Sequence, residues 1–191
     1  YKYQGVKNLM PVTINGNGSI TGLSVGGLGS GVVNNATLAN GAASGSKLTM
    51  PSGSVLQVKE YASTTMVTWS SGWTDTGLTG TITPQFSNSN IIATFYTQIR
   101  VSGNSDHGVG WKILRDSTAI MTTNTNYWVY NNPVHDGRGG HTVSAGDNGH
   151  NSTSSLTYKL QFNAYRSSDN NSCRFCDNNN RASMILMEIK V

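Results

Sequence analysis

The sequence predicts an all-β protein in two parts: an extended glycine-rich segment over residues 1–50 and a β-sandwich head over residues 51–191. Gly recurs through a charge-free stretch from Thr13 to Ser46, and apolar residues alternate with polar ones in several later segments. No segment shows the apolar spacing of an amphipathic helix. The boundary is expected at Met50-Pro51-Ser52-Gly53, because Pro and Gly interrupt regular structure.

The glycine-rich segment has too few apolar residues to bury a core on its own. Aliphatic residues recur between the glycines, at Ile14, Ile20, Leu23, Val25, Leu28, Val32, Val33 and Leu38. One interpretation is a flexible linker. The other is a shaft, in which several identical chains wind together and share these side chains along one axis. The recurring aliphatic residues favour the shaft, since a linker needs none.

Three segments of the head alternate with a period of two residues, as half-buried strands do. They are residues 91–101, 156–165 and 182–191. Shorter strands are expected at Val55–Tyr61, Thr64–Trp69, Leu78–Thr83, Val109–Arg115, Thr118–Thr122 and Tyr127–Tyr130, with a hairpin turn at residues 115–118. Short strands separated by turns indicate a sandwich, here a jelly-roll-like one. Residues 182–191 are apolar on both faces, so we expect them at the centre of a sheet or at a subunit interface.

Composition and charge narrow the function classes. Charged residues make up 12 % of the chain, about half of the ~25 % usual in soluble domains, which suits a particle exterior better than a cytosolic enzyme. The net charge is +4 without any Lys/Arg run, and the best local group, Arg100, Lys112 and Arg115, falls on expected strands, so we predict no nucleic-acid partner. The longest apolar run is far shorter than the ~18 residues of a membrane span, so no membrane insertion is predicted. The chain begins at Tyr1 without Met, so we expect either that its start has been cut away or that it is a fragment of a longer chain.

The residues of catalysis are not grouped in the sequence. The two glutamates, Glu60 and Glu188, fall on different expected strands, and the aspartates fall at turns, where Asp bonds its own backbone. No nucleophile-elbow, zinc-protease or phosphate-loop motif occurs. We therefore predict a protein that is not an enzyme and needs no cofactor. A carbohydrate-active β-sandwich enzyme is the weakest of the hypotheses kept open.

Two cysteines form a Cys173-Arg174-Phe175-Cys176 motif. A zinc site needs further ligands, and no second such pair exists. His135, His141 and His150 lie in one polar stretch but match no fixed ligand spacing, so no metal is predicted. A structural role for the cysteines is favoured over a local disulfide or a metal site.

A long loop is expected at residues 124–151. Its aromatic and Arg residues stand among Asn and Gly, which is the composition of adaptable binding loops. The candidate receptor-binding residues are Tyr127, Trp128, Tyr130, His135, Asp136, Arg138 and His141. The alternative is a solvated loop that Tyr127 and Trp128 anchor to the sandwich.

Several short motifs resemble a known family. In the first part they are Gly22-Leu23-Ser24-Val25-Gly26-Gly27-Leu28, Thr37-Leu38-Ala39-Asn40-Gly41-Ala42 and residues 48–58. In the head they are residues 70–83 and 87–92, Trp111–Thr118 and Ile185-Leu186-Met187-Glu188-Ile189. Together they are similar to tail-fibre-like virion proteins of marine bacteriophages, especially cyanophages. Cys173 and Cys176 depart from that pattern, in which polar or β-branched residues are more usual.

The resemblance implies a homotrimeric fibre on the virion surface, with a thin shaft and a distal head that attaches to a host-cell surface. Its partners would be two further copies of itself, other virion proteins on the N-terminal side, and a glycan or protein of the host surface. It implies no catalytic residues. The main alternative is a non-adhesive capsid decoration or assembly protein of the virion.

Overall fold

The computed structural model describes residues 13–14, 20–21, 50–103, 107–125, 128–131, 135–165 and 173–191. The chain divides into two compact units, residues 1–49 and 50–191. In the first unit, strands β1 (Thr13–Ile14) and β2 (Ile20–Thr21) pair antiparallel. The remainder of the predicted shaft lies outside the described residues.

The second unit is built from strands, and no α-helix occurs in the part of it that the structure describes. The strands are β3 (Val55–Ser63), β4 (Val67–Thr68), β5 (Thr74–Ile82), β6 (Asn90–Gly103), β7 (His107–Arg115), β8 (Thr118–Thr122), β9 (Trp128–Asn131), β10 (His135–Asp147), β11 (Leu156–Ala164), β12 (Cys173–Phe175) and β13 (Ala182–Ile189). A 3-10 turn at Asp177–Asn179 joins β12 to β13. The prediction of an all-β head is confirmed.

Two antiparallel sheets make up the head. In the first sheet the order is β3-β13-β6-β10, and the short strands β12 and β4 extend it beyond the end of β13. In the second sheet the order is β5-β11-β7-β8, with β9 beside the start of β7. Consecutive long strands therefore mostly alternate between the sheets, which brings sequence-distant strands side by side.

The core lies between the sheets and follows the predicted alternation. The inner face of β6 contributes Ile91, Ala93, Phe95, Thr97, Ile99 and Val101, all fully buried. The second sheet contributes Trp111, Ile113, Tyr158, Leu160 and Phe162, which are equally buried. Phe162 meets Phe175 of the first sheet with ring centroids 6.3 Å apart. Both sheets thus bury their apolar faces against each other in one continuous cluster.

Strand β13 lies between β3 and β6, so the prediction of a central position for this segment is confirmed. Its inner face carries Ala182, Met184, Leu186 and Glu188, and its outer face carries Ser183, Ile185, Met187 and Ile189. The predicted hairpin at residues 115–118 is also confirmed, with Asp116 at a φ of 52° in the turn between β7 and β8.

The prediction of a long loop at residues 124–151 is wrong for most of the residues that the structure describes there. Strand β10 occupies 13 of these positions and pairs along its whole length with β6, from His135 opposite Gly103 to Asp147 opposite Ile91. Its sequence has few apolar residues, so no alternation was visible. The long edge of β6 imposes the extended conformation through backbone hydrogen bonds, which is how tertiary context overrides weak strand propensity.

Gly80 of β5 packs directly against side chains of the first sheet. A Cβ at this position would overlap the ring of Tyr61 and lie 2.5 Å from Met184 Cε. We expect Gly80→Ala to lower the free energy of unfolding by about 1–3 kcal/mol, because buried groups would have to shift. Denaturant unfolding measures the change.

The matched control is Gly149→Ala, where an added Cβ would have no atom within 4 Å. Its effect should stay within about 0.5 kcal/mol, as for other unconstrained surface positions. Equal effects of the two substitutions would contradict the close approach at Gly80.

Candidate functional site

The structure places the predicted receptor-binding residues on strands of both sheets. Tyr127 lies outside the described residues. Trp128 and Tyr130 lie on β9, beside β7 in the second sheet, whereas His135 and Asp136 begin β10 in the first. The side chains of these four are not among the described ones. Arg138 and His141 follow on β10 with described side chains and lie on opposite faces of the strand.

His141 turns toward the interior. Its ring packs against Trp111 of the second sheet, with centroids 6.3 Å apart. Burial lowers the pKa of the His141 imidazole, which favours the neutral ring at physiological pH. The position of this ring is that of a core side chain, and it does not share a surface with Arg138.

Arg138 points outward and belongs to a row of three arginines across three strands. It is opposite Arg100 of β6, and Arg100 is in turn opposite Arg174 of β12. Thr68 of β4 continues the row. Directly opposite side chains in a sheet have Cβ atoms about 4.5–5.5 Å apart, so the three guanidinium groups start from neighbouring positions on one face. We call Arg100, Arg138 and Arg174 the arginine row.

Asp177 lies against the arginine row. One of its carboxylate oxygens is 3.4 Å from Arg138 Nε and the other is 3.7 Å from Arg174 Nη1. The Asp177 side chain is 2 % exposed, whereas those of Arg138 and Arg174 are 47 % and 34 % exposed. A buried carboxylate therefore holds two arginines whose outer surfaces face solvent.

The turn that carries Asp177 has an unusual backbone. Cys176, Asn178 and Asn179 have φ values of 51°, 56° and 56°, in the left-handed region that non-glycine residues rarely adopt. Asn180 Nδ2 donates to the Asp177 carbonyl at 2.8 Å, and Cys176 N–H donates to the Gln98 carbonyl of β6 at 2.9 Å. These bonds fix the turn beside the row, so the carboxylate is held in place by the backbone.

The other end of the same outer face is apolar. Met187 of β13 has Val58 of β3 on one side and Ile92 of β6 on the other. Val58 and the neighbouring Ile185 are 52 % and 41 % exposed. Ile92 and Arg100 are eight positions apart on β6, which places the apolar end about 26 Å from the arginine row.

The best local group of basic residues in the sequence is divided between the two sheets. Arg100 lies in the first sheet, whereas Lys112 and Arg115 lie in the second. Lys112 Nζ is 4.2 Å from the centroid of the Trp73 ring, a cation–π contact. The arginine row is a cationic cluster whose members come from three strands that are distant in sequence.

Glu188 is a buried carboxylate that braces a loop. One oxygen accepts hydrogen bonds from Ser89 Oγ at 2.7 Å and from the backbone N–H groups of Gln85 and Phe86 at 2.8 and 3.2 Å. The other oxygen accepts from Gln57 Nε2 at 2.6 Å. The bonds from Ser89, Gln85 and Phe86 fix the segment after β5, and the bond from Gln57 ties the carboxylate to β3. The side chain is shielded from solvent.

Ser89 and His150 lie close together but do not form a nucleophile–base pair. His150 Nε2 is 2.8 Å from the Ser89 carbonyl oxygen but 3.4 Å from Ser89 Oγ. The hydroxyl lies close to Glu188 and the Phe86 carbonyl instead. Because Ser89 is fully buried, this group of residues has no access to a substrate.

Asp147 forms a second buried cluster at the end of β10. Arg115 Nη1 is 2.7 and 2.8 Å from its two carboxylate oxygens, and Tyr158 donates its hydroxyl hydrogen at 2.7 Å. These bonds join the edge of the first sheet to the second. Burial raises the pKa of the Tyr158 hydroxyl, and the hydrogen bond to the Asp147 carboxylate raises it further.

The cysteines are both buried. Burial raises the pKa of the Cys176 thiol, so little reactive thiolate forms at neutral pH. Within the described residues no three His, Cys, Asp or Glu side chains are grouped to hold a metal ion. The same residues include no helix long and apolar enough to cross a bilayer.

A small cavity of about 170 Å³ opens beside the irregular pairing of β5 with β11. Asp75, Gly77, Leu78, Thr79, Lys159 and Leu160 line it. Ligand pockets usually measure about 300–1,000 Å³, so this cavity is too small for one.

The head is therefore defined as an all-β unit of two antiparallel sheets with a cationic cluster on one outer face. No protein-family model and no curated protein sequence matches the chain.

Several solved structures are distantly similar. The VP2 subviral particle of infectious bursal disease virus is 12 % identical with a TM-score of 0.41, over 72 % of this chain and 34 % of that one. The Gt strain of the same virus is 15 % identical with a TM-score of 0.37, over 72 % and 34 %. Dimeric latent PorU from Porphyromonas gingivalis is 9 % identical with a TM-score of 0.35, over 73 % and 14 %. The chain spans about a third of the viral chains it matches, and at these TM-scores the likeness supports no conclusion about function.

Glu188→Ala should lower the free energy of unfolding by about 2–4 kcal/mol, because two backbone N–H groups and the buried Ser89 hydroxyl lose their shared acceptor. The control is Glu60→Ala, which removes an exposed ion pair with Arg181 and should cost less than about 1 kcal/mol. Denaturant unfolding measures both. A small effect at Glu188 would show that the carboxylate does not brace the loop.

The buried Tyr158 hydroxyl leads us to expect a loss of stability at alkaline pH. The pKa of its hydroxyl is raised in the folded state, so above about pH 10 the unfolded chain loses this proton first and unfolding becomes more favourable as pH rises. One proton corresponds to about 1.4 kcal/mol per pH unit. The unfolded tyrosine is only partly ionised between pH 10 and 11, so the Tyr158→Phe variant should show a slope shallower by about 1 kcal/mol per pH unit over this range in denaturant unfolding. Parallel slopes for the two proteins would contradict it.

Proposed function

We propose that this chain is a structural protein of a virion, with a homotrimeric fibre arrangement whose head attaches to a host-cell surface. The observation that carries the proposal is the connectivity of the head. The strand orders β3-β13-β6-β10 and β5-β11-β7-β8 are those of a jelly roll, in which two four-stranded Greek keys close over one core. Viral capsid domains and carbohydrate-binding lectins are recurrent uses of this architecture.

The composition supports an exterior location. The low charged fraction and the abundance of Gly, Ser, Thr and Asn suit a surface of hydroxyls and amides. The motifs at residues 22–28, 37–42 and 185–189 resemble those of phage tail-fibre-like proteins. The proposal places residues 1–50 in a shared shaft and the head at its distal end.

Trimer formation is supported by the apolar end of the outer face. Val58, Met187 and Ile92 form a contiguous apolar strip across three strands, and Ile185 extends it. Contiguous apolar patches on a protein surface often mark interaction sites. Three copies would cover the strip and would also multiply weak receptor contacts through avidity.

A catalytic role is not part of the proposal. The buried carboxylates Glu188 and Asp147 hold loops and sheets together, and neither faces an open cleft. The alternative function is a non-adhesive capsid decoration or assembly protein. It shares the jelly roll and the apolar strip but requires no receptor site.

The assembly state and the location distinguish these functions. In solution at micromolar concentration, light scattering should give a mass three times the 20.4 kDa of one chain. Antibody labelling of virions should mark fibre tips. A monomeric mass would contradict the trimer, and label on the capsid lattice would favour the decoration protein.

Cell adsorption tests the receptor-binding hypothesis at β9. A fluorescent full chain carrying Trp128→Ala should lose most of its binding to host cells while its thermal midpoint stays unchanged. Met66→Ala, at an exposed apolar residue on the segment between β3 and β4, serves as the control and should bind normally. Loss of stability with adsorption preserved would show that Trp128 anchors the segment instead.

A further inference from the structure

We propose that the arginine row is a binding site for the anionic groups of a host-surface polysaccharide, such as sulfate, phosphate or carboxylate substituents. This inference rests on the proposed attachment function and names the class of ligand. The site consists of Arg100, Arg138 and Arg174, and Asp177 is the residue that positions Arg138 and Arg174.

The first argument is the electrostatic repulsion between arginines on neighbouring strands. Like charges directly opposite each other in a sheet are destabilising, and here the register sets Arg100 between two other arginines. Arginine presents five N–H donors in a planar fork that matches carboxylates, sulfates and phosphates. Three such forks on neighbouring strands form a surface about 10 Å wide, given the strand spacing of about 4.8 Å.

The second argument is the way in which the arginines are held. Asp177 is buried beneath them and contacts Arg138 and Arg174 from the side of the protein. The carboxylate restrains both side chains before any ligand arrives, which reduces the entropy lost on binding. Both arginines retain substantial exposure, so a ligand can approach them from solvent.

The third argument is the turn. Three non-glycine residues with positive φ surround Asp177, and such strain is concentrated at binding and catalytic sites. A turn needed only to connect β12 with β13 could place Gly at these positions without strain. The turn holds the Asp177 carboxylate in a buried position beside the row.

A polysaccharide fits the setting better than a small anion. The row lies on the outer face of a sheet, and such a face contacts a chain of sugars over several units. Repeated charges along one chain would engage the arginines of one head and, in a trimer, of its neighbours.

The test measures binding of the full chain to immobilised dextran sulfate, polygalacturonate and uncharged dextran by biolayer interferometry. We expect binding to one or both charged polymers, weakening as salt rises, and none to dextran. The two charged arms distinguish a sulfate-type from a carboxylate-type ligand. Absence of binding to both at low salt would overturn the proposal.

Arg138→Gln should weaken binding to the preferred polymer at least tenfold, and Arg138→Lys should give an intermediate loss because it keeps the charge without the fork. The matched control is Arg181→Gln, which removes an equal charge from an exposed arginine paired with Glu60. It should change the affinity less than twofold. Equal losses at both positions would show a non-specific charge effect and overturn the site.

Thermal unfolding of each variant separates binding from structure. Arg138→Gln with a lowered midpoint but normal polymer affinity would show that the arginine serves only the Asp177 turn. Adsorption of the same variants to host cells separates the inference from the proposed function. Normal adsorption of Arg138→Gln overturns the arginine site alone, whereas polymer binding without any adsorption of the unmodified chain overturns attachment alone.

Discussion

The backbone ladder of β6 is the interaction on which the rest of the head depends. One edge of this 14-residue strand pairs with β10 along nearly its whole length, and the other edge pairs first with β13 and then with β12. A strand paired on both edges has no register freedom, and its side chains must alternate between core and outer face. The positions of Phe95 in the core and of Arg100 in the arginine row both follow from this single constraint.

The ladder explains which parts of the fold were predictable from sequence. Strands β6, β11 and β13 have enough apolar residues to show their period of two, and they were found. Strand β10 has apolar side chains at few positions, such as Val143 and Ala145 on its inner face. Its conformation comes from its neighbour, and Tyr96 of β6 covers the surface left open by Gly140. No local pattern in residues 135–147 carries that information.

The arginine row was only partly predictable from sequence, because the strand register decides which residues become neighbours. Arg138 stood out because its surroundings are polar and glycine-rich, but Arg100 and Arg174 belong to other strands, and only the register sets them beside it. Glu188 was placed on its strand correctly, yet β13 is apolar on both faces, so the alternation could not tell which face is buried. The donors that compensate for burial of its carboxylate, the Ser89 hydroxyl and a backbone N–H group, come from a loop distant in sequence.

The position of β13 has a consequence for how the head is made. It follows every other described strand in the chain, and it fits between β3 and β6, two strands that precede it by many residues. Until β13 leaves the ribosome, both strands carry unsatisfied edges, and their pairing must wait for a long-range closure that is slow. Synthesis is therefore the period in which nascent heads can exchange strands with each other, and chains held side by side at their first segments would be the most exposed to such mispairing.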